Sequence, residues 1–100
     1  MAITGAAHTG TAAAVALSTL VNKSSVTQLD FVANPGNVDV FYIGSSSVTT
    51  AGANAYVALE PGQSWSAVRA DLRVGYIVLD PTALYVIGAT TDKIHIVAVD

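Results

Sequence analysis

The chain has no cysteine among its 100 residues, which excludes a disulfide framework, a thiolate nucleophile and a Cys-ligated metal. Charge is scarce as well: charged residues make up 11% of the chain, against ~25% in typical soluble domains. The four basic residues, Lys23, Arg69, Arg73 and Lys93, are scattered, whereas a nucleic-acid interface needs a clustered positive footprint. The same scatter excludes recruitment to an anionic membrane by a polybasic run. No apolar run reaches the ~18 residues of a membrane-spanning helix. Residues 1–20 lack a basic start and carry alanine where a secretory leader carries leucine. The expectation is synthesis in the cytoplasm and solubility until assembly.

Apolar side chains are plentiful by contrast, at 52% of the sequence. A chain of this length forms one domain and buries roughly 60–70% of the surface its unfolded form exposes. So small an interior cannot absorb so many apolar groups, so some are expected to be covered by other chains. A permanent interface removes that liability.

The organising stretch is Asn34–Gly62, which holds turn chemistry, a β-prone run, a loop of small polar residues, a second β-prone run and a second turn. Val38–Ile43 (VDVFYI) is β-branched and aromatic, and it lies between Asn34-Pro35-Gly36-Asn37 and Gly44-Ser45-Ser46-Ser47. Tyr56–Leu59 forms the second run. Pro61-Gly62 suits the central positions of a type II turn.

Before this stretch, residues 1–12 show no period of 2 or 3.6 and read as an extended arm, disordered alone or ordered on a neighbour. Residues 13–21 favour a strand over a helix: Val15 and Leu17 alternate with Ala14, Ala16 and Ser18, and Thr11 lacks the Glu or Gln of a capping box. Asn22–Ser25 reads as a turn. Val26–Ala33 alternates cleanly, with Leu29, Phe31 and Ala33 on one face and Gln28 and Asp30 on the other.

Further along, Ser64–Val68 places Trp65 and Ala67 inward, and residues 71–80 carry a candidate strand at Tyr76–Leu79. Leu84–Gly88 and Lys93–Val99 form the closing pair around Ala89–Asp92. Val97 and Val99 on the nominally outer face of the last strand point to burial on both sides. About eight short antiparallel strands, spaced 8–12 residues apart, predict an all-β, single-domain sandwich or jelly-roll-like fold over 13–100, preceded by the 1–12 arm.

No pattern of residues calls for chemistry. His8 and His95 lie in different segments without His-x-His or HExxH spacing, and a metal site needs three or four converging ligands. The acids Asp30, Asp39, Glu60, Asp71, Asp80, Asp92 and Asp100 mostly flank turns, where Asp bonds nearby amides; a glycosidase-like carboxylate pair is the less economical reading. Ser45-Ser46-Ser47 lacks a G-x-S-x-G context, and neither Gly5–Gly10 nor Gly44–Gly52 has the form of a phosphate loop. Trp65, Tyr42, Tyr56, Tyr76 and Tyr85 could make a sugar platform, with core packing as the alternative. The reading is a non-enzyme with no catalytic, cofactor-binding or metal residues and no cofactor.

The segment N-P-G-N-V-D-V-F-Y-I-G, the S-x-V-T-T that follows, the small-residue loop and L-E-P-G-Q-S together resemble small phage structural proteins. The downstream L-Y-V-I-G-A-T-T-D-K-I-H-I-V is similar to their closing hairpin, and the likeness covers 13–99. It implies a head decoration (cement) protein: a symmetric homo-oligomer, a trimer with a hexamer as the alternative, bound to the major capsid protein on the virion exterior. The same resemblance implies a β-sandwich or jelly-roll-like fold, no enzymatic activity, and no nucleic-acid or membrane partner. The alternative is a host-recognition or carbohydrate-binding module of a phage tail or head fibre. The arm at 1–14 and the insertion at 71–80 depart from the pattern and leave the mode of attachment open.

Overall fold

The computed structural model describes residues 3–11, 13–22, 26–68 and 82–99. Among these it contains the strands β1 (Ile3–Thr9), β2 (Val15–Ala16), β3 (Gln28–Ala33), β4 (Phe41–Gly44), β5 (Ala55–Leu59), β6 (Ser64–Val68), β7 (Tyr85–Ile87) and β8 (Lys93–Val99). One helical turn, α1 (Leu17–Val21), follows β2. The protein is all-β, as its alternating pattern predicts. The expected strand at Tyr76–Leu79 and most of the Asn22–Ser25 turn lie outside the described residues.

The strands form two four-stranded antiparallel sheets, ordered β1-β8-β3-β6 and β2-β7-β4-β5. Four of the pairings, β1 with β8, β2 with β7, β3 with β6 and β4 with β5, are the rungs of a single long hairpin whose tip is the 45–54 connection. Two more, β3 with β8 and β4 with β7, fold that hairpin across itself into two sheets. This is the strand order of a jelly roll.

One apolar cluster joins the sheets in a sandwich-like arrangement. Leu29, Phe31, Ile94 and Ile96 enter it from the first sheet, Phe41, Ile43 and Val86 from the second, and Leu17 and Val21 from α1. Each large side chain removed from water in this way contributes about 1.5–3 kcal/mol. Directly opposite Phe31 in the β3–β6 register, Trp65 stacks on it at 5.4 Å between centroids and 18° between planes. Trp65 and Ala67 therefore point inward, as expected.

Four expectations need correction. The 1–12 arm is not separate, because Ile3–Thr9 is β1, paired along its whole length with β8. Its alternation is hidden in the sequence because the half-buried residues are Thr4, Ala6 and His8, too small or too polar to register as an apolar face. Residues 13–21 divide between the two readings: Val15–Ala16 pairs with β7, and the chain then turns helically from Leu17. No side chain caps that helix, in keeping with the missing capping box, and Asn22 ends it at φ 54°.

The third correction is that β4 begins at Phe41, not Val38. The Val38 and Asp39 amides donate to the Asp92 carboxylate, each at 2.9 Å, so they serve a side chain instead of a ladder. Lastly, Val97 is not covered on its outer side. It is 36% exposed, because its β1 neighbour is Gly5, which offers no side chain. The turn at 60–63 is as predicted: Gly62 has φ 83° and the Gln63 amide donates to the Glu60 carbonyl at 2.9 Å.

Candidate functional site

Among the described residues, those weighed for catalysis form no converging group. His8 and His95 sit on adjacent strands one register step apart, since Ala7 pairs with His95 and His8 with Ile94. Strand alternation sends His8 inward and His95 outward, so they cannot share a ligand. Among the described residues no group of three His, Asp or Glu could hold a metal ion. Of the acids, Asp30 accepts from the Gln28 side-chain amide at 3.0 and 3.2 Å, and Glu60 belongs to the turn before β6. Asp71, Asp80 and Asp100 lie outside the described residues. Ser45 and Ser47 close a local turn through the Ser45 Oγ.

Asp92 is the exception among the acids. It is completely buried, and each carboxylate oxygen accepts one backbone amide, from Val38 and Asp39. Beside it, the Asn37 side chain pairs with the Lys93 backbone through both its amide nitrogen and its oxygen, at 2.8 and 2.7 Å. Asn34 donates its amide to the Lys93 carbonyl at 3.1 Å and receives the Gly36 amide on its side-chain oxygen at 2.8 Å. The N-P-G-N turn and the residues after it are thus fastened to the start of β8. Turn chemistry made this segment visible in the sequence; its distant partner, Asp92, carried no signal beyond being an Asp near a turn.

His8 is the other unusual polar residue. Its Nε2 is buried and has no hydrogen-bond partner, and its ring meets Phe41 edge-on at 6.5 Å. Burial lowers its pKa from the ordinary value of 6.5, because the charged imidazolium loses solvation there.

The two sheets differ on their outer faces. The first exposes Ile3 (69%), Val32 (42%) and Val97. Register places these within three neighbouring strands, with Ile3 opposite Val99 on β8, and with Val97 opposite Asp30 and His95 opposite Val32 across β8 and β3. The same face carries Lys93 at its end, the exposed His95 opposite Val32, and Asp30, whose carboxylate accepts from the Gln28 side chain.

The second sheet carries tyrosines instead. Val57 and Leu59 on β5, Phe41 and Ile43 on β4, and Leu84 and Val86 at β7 belong to or pack on the core. The alternate positions Tyr56, Tyr42 and Tyr85 therefore share the outer face. A groove of about 330 Å³ adjoins Tyr42 and is lined by Asp39, Val40, Tyr42, Thr50, Gly88 and Ala89. Of the five aromatics weighed from the sequence, then, three share one outer face, Trp65 joins the core edge, and Tyr76 lies outside the described residues.

These features define a small all-β domain with jelly-roll strand order, an open apolar face on one sheet and a tyrosine face on the other. No family model matches the chain, and neither does any curated protein or solved structure.

Proposed function

We propose that this chain is a capsid decoration (cement) protein of a bacteriophage, bound to the outer shell and stabilising contacts between copies of the major capsid protein. The carrying observation is the outer face of the β1-β8-β3-β6 sheet, where Ile3, Val32 and Val97 are exposed on three neighbouring strands. A soluble monomer gains nothing from such a surface, whereas a protein held on a shell hides it and gains the energy of its burial. The jelly-roll strand order is shared by many viral capsid domains and also by lectins and cupins, so it supports the reading without deciding it. The self-association expected of such proteins, as a trimer or hexamer on the capsid exterior, belongs to the same proposal.

The test has two arms. Quantitative mass spectrometry of particles purified from the source gives the ratio of this chain to the major shell protein; a ratio near one supports decoration, and absence from particles overturns it. With purified protein, the Ile3→Glu, Val97→Glu double variant should bind undecorated shells at least roughly tenfold more weakly, a loss of about 1.4 kcal/mol or more, with an unchanged β-sheet circular dichroism spectrum. Unchanged binding would remove this face from the interface.

A further inference from the structure

We infer that the outer face of the β2-β7-β4-β5 sheet, with its adjoining groove, is a binding site for a neutral oligosaccharide. This does not rest on the decoration reading, because it uses a different surface.

Three observations converge on it. The first is the register. Tyr42 lies opposite Ala58 on β5 and opposite Ile87 on β7, with Tyr85 two residues from Ile87 and Tyr56 two residues from Ala58. Diagonal neighbours of this kind are within reach of aromatic side chains, and both diagonals run toward the Gly44 level of β4, so the three tyrosines stand at the corners of a triangle with Tyr42 at its apex. At Gly44, opposite Tyr85, the register shifts, and the Asn54 carbonyl and the Ala55 Cα occupy the place where a side chain would project between the two outer tyrosines. Tyr56, at the rim, is half exposed.

The second observation is the groove at the Tyr42 end. At about 330 Å³ it falls at the small end of ligand sites, which run from about 300 to 1,000 Å³. Its lining draws on residues that carry a carboxylate (Asp39), a phenol (Tyr42) and a hydroxyl (Thr50), together with Val40, Gly88 and Ala89. A sugar ring presents hydroxyl edges to such acceptors and donors, and an apolar C–H face to aromatic rings. The groove is polar, and the tyrosine in its wall is one corner of the aromatic triangle, which matches both aspects of a short glycan.

The third is that the walls are fixed before any ligand arrives. The Asp39 amide is held by the buried Asp92 carboxylate. A Cβ on Gly88 would lie 2.6 Å from the Phe41 ring, and one on Gly52 would lie 2.9 Å from the Tyr42 ring. The backbone is therefore seated directly against both aromatics. Preorganisation of this kind removes ordering costs that otherwise weaken binding.

Charge narrows the ligand. Among the described residues that line the groove Asp39 is the charged one, so uronic acids, sialic acids and phosphorylated sugars are disfavoured there. Nucleobases also stack on tyrosine, but their phosphates need cations, and Lys93, the basic residue among those described, lies on the other sheet. A neutral hexose or N-acetylhexosamine oligomer is the class that fits.

The experiment is saturation-transfer NMR and calorimetry on the full chain. The probes are short oligomers of glucose, galactose, mannose and N-acetylglucosamine, with oligogalacturonate as the anionic comparison. Saturable binding of at least one neutral oligomer is expected, weakened roughly tenfold or more by Tyr56→Ala and by Asp39→Asn. Tyr56 and Asp39 are both exposed, so neither change threatens the core, and matching thermal denaturation curves verify that. Tyr42→Phe separates the ring from its hydroxyl and should weaken binding less than Tyr56→Ala. Binding of no neutral oligomer, a preference for oligogalacturonate, or full binding by both Tyr56→Ala and Asp39→Asn would overturn the proposal. Loss of glycan binding in variants that still decorate shells would separate this site from the shell-binding face.

Discussion

Replacing Asp92 tests how the fold is fastened. Its carboxylate takes two amides 53 and 54 residues away in sequence, each at 2.9 Å, from a fully buried position. A hydrogen bond to a charged group is worth about 1.5–3 kcal/mol. Asp92→Asn keeps the shape but leaves one oxygen and one NH2, so one amide keeps its acceptor and the other faces a donor. The loss should be about 2–3 kcal/mol. Asp92→Ala removes both acceptors, yet Val38 and Asp39 are exposed, so water can reach that side of the loop and limit the cost. About 3–4 kcal/mol is expected, less than twice the effect of Asn. For a domain of this size each kcal/mol corresponds to about 4–8 °C in Tm, so urea titration and thermal melts should both register the change clearly. An Asp92→Asn protein within about 0.5 kcal/mol of the wild type would show that the paired amides contribute nothing net. Something other than the Asp92 carboxylate would then organise the 34–39 segment.

Two further substitutions probe the interior. Because burial lowers the His8 pKa below 6.5, the unfolded chain takes up the proton first, and the folded state binds fewer protons in that range. His8 therefore contributes stability that is complete above about pH 6.5 and is lost progressively as the pH falls to the lower folded value. Urea midpoints measured from pH 8 to pH 5 should fall more steeply for the wild type than for His8→Leu; parallel curves would refute this. Gly88→Ala places a methyl group 2.6 Å from Phe41 Cε2, and overpacking of this kind costs about 1–3 kcal/mol. Thermal denaturation should show the loss, and an unchanged Tm would mean that the Phe41 ring yields freely.

Much of this architecture is legible in the sequence where side chains alternate by size and polarity. Leu29-Asp30-Phe31 and Ile94-His95-Ile96 announce β3 and β8, and Pro61-Gly62 announces its turn. Legibility fails where the backbone carries the pairing. β1 is built from Ile, Thr, Gly, Ala and His, and its ladder with β8 depends on main-chain groups that every residue has. It fails again at Val38, where intrinsic β-propensity is overridden by an acceptor from a remote segment. The tyrosine face stands between these cases: its rings can be named from the sequence, but only the β7-β4-β5 register brings Tyr85, Tyr42 and Tyr56 together. The groove draws on three connections, and nothing in any one of them shows that they meet.

The nested pairing of the strands also orders events in time. Each rung of the long hairpin, once formed, shortens the loop the next must close, and closure costs grow with loop length. The natural sequence is β4 with β5, then β3 with β6, then β2 with β7, and β1 with β8 at the end. On the ribosome the same ordering is enforced from outside. At about 5–20 residues per second, β1 emerges on the order of ten seconds before the Lys93–Val99 segment that will pair with it. Through that interval an uncharged strand waits with both edges bare, the condition in which neighbouring chains pair by mistake. Its glycine, alanine and threonine make it a weak template for such errors, so the composition that hid β1 as a strand also makes it safe to synthesise well before its partner.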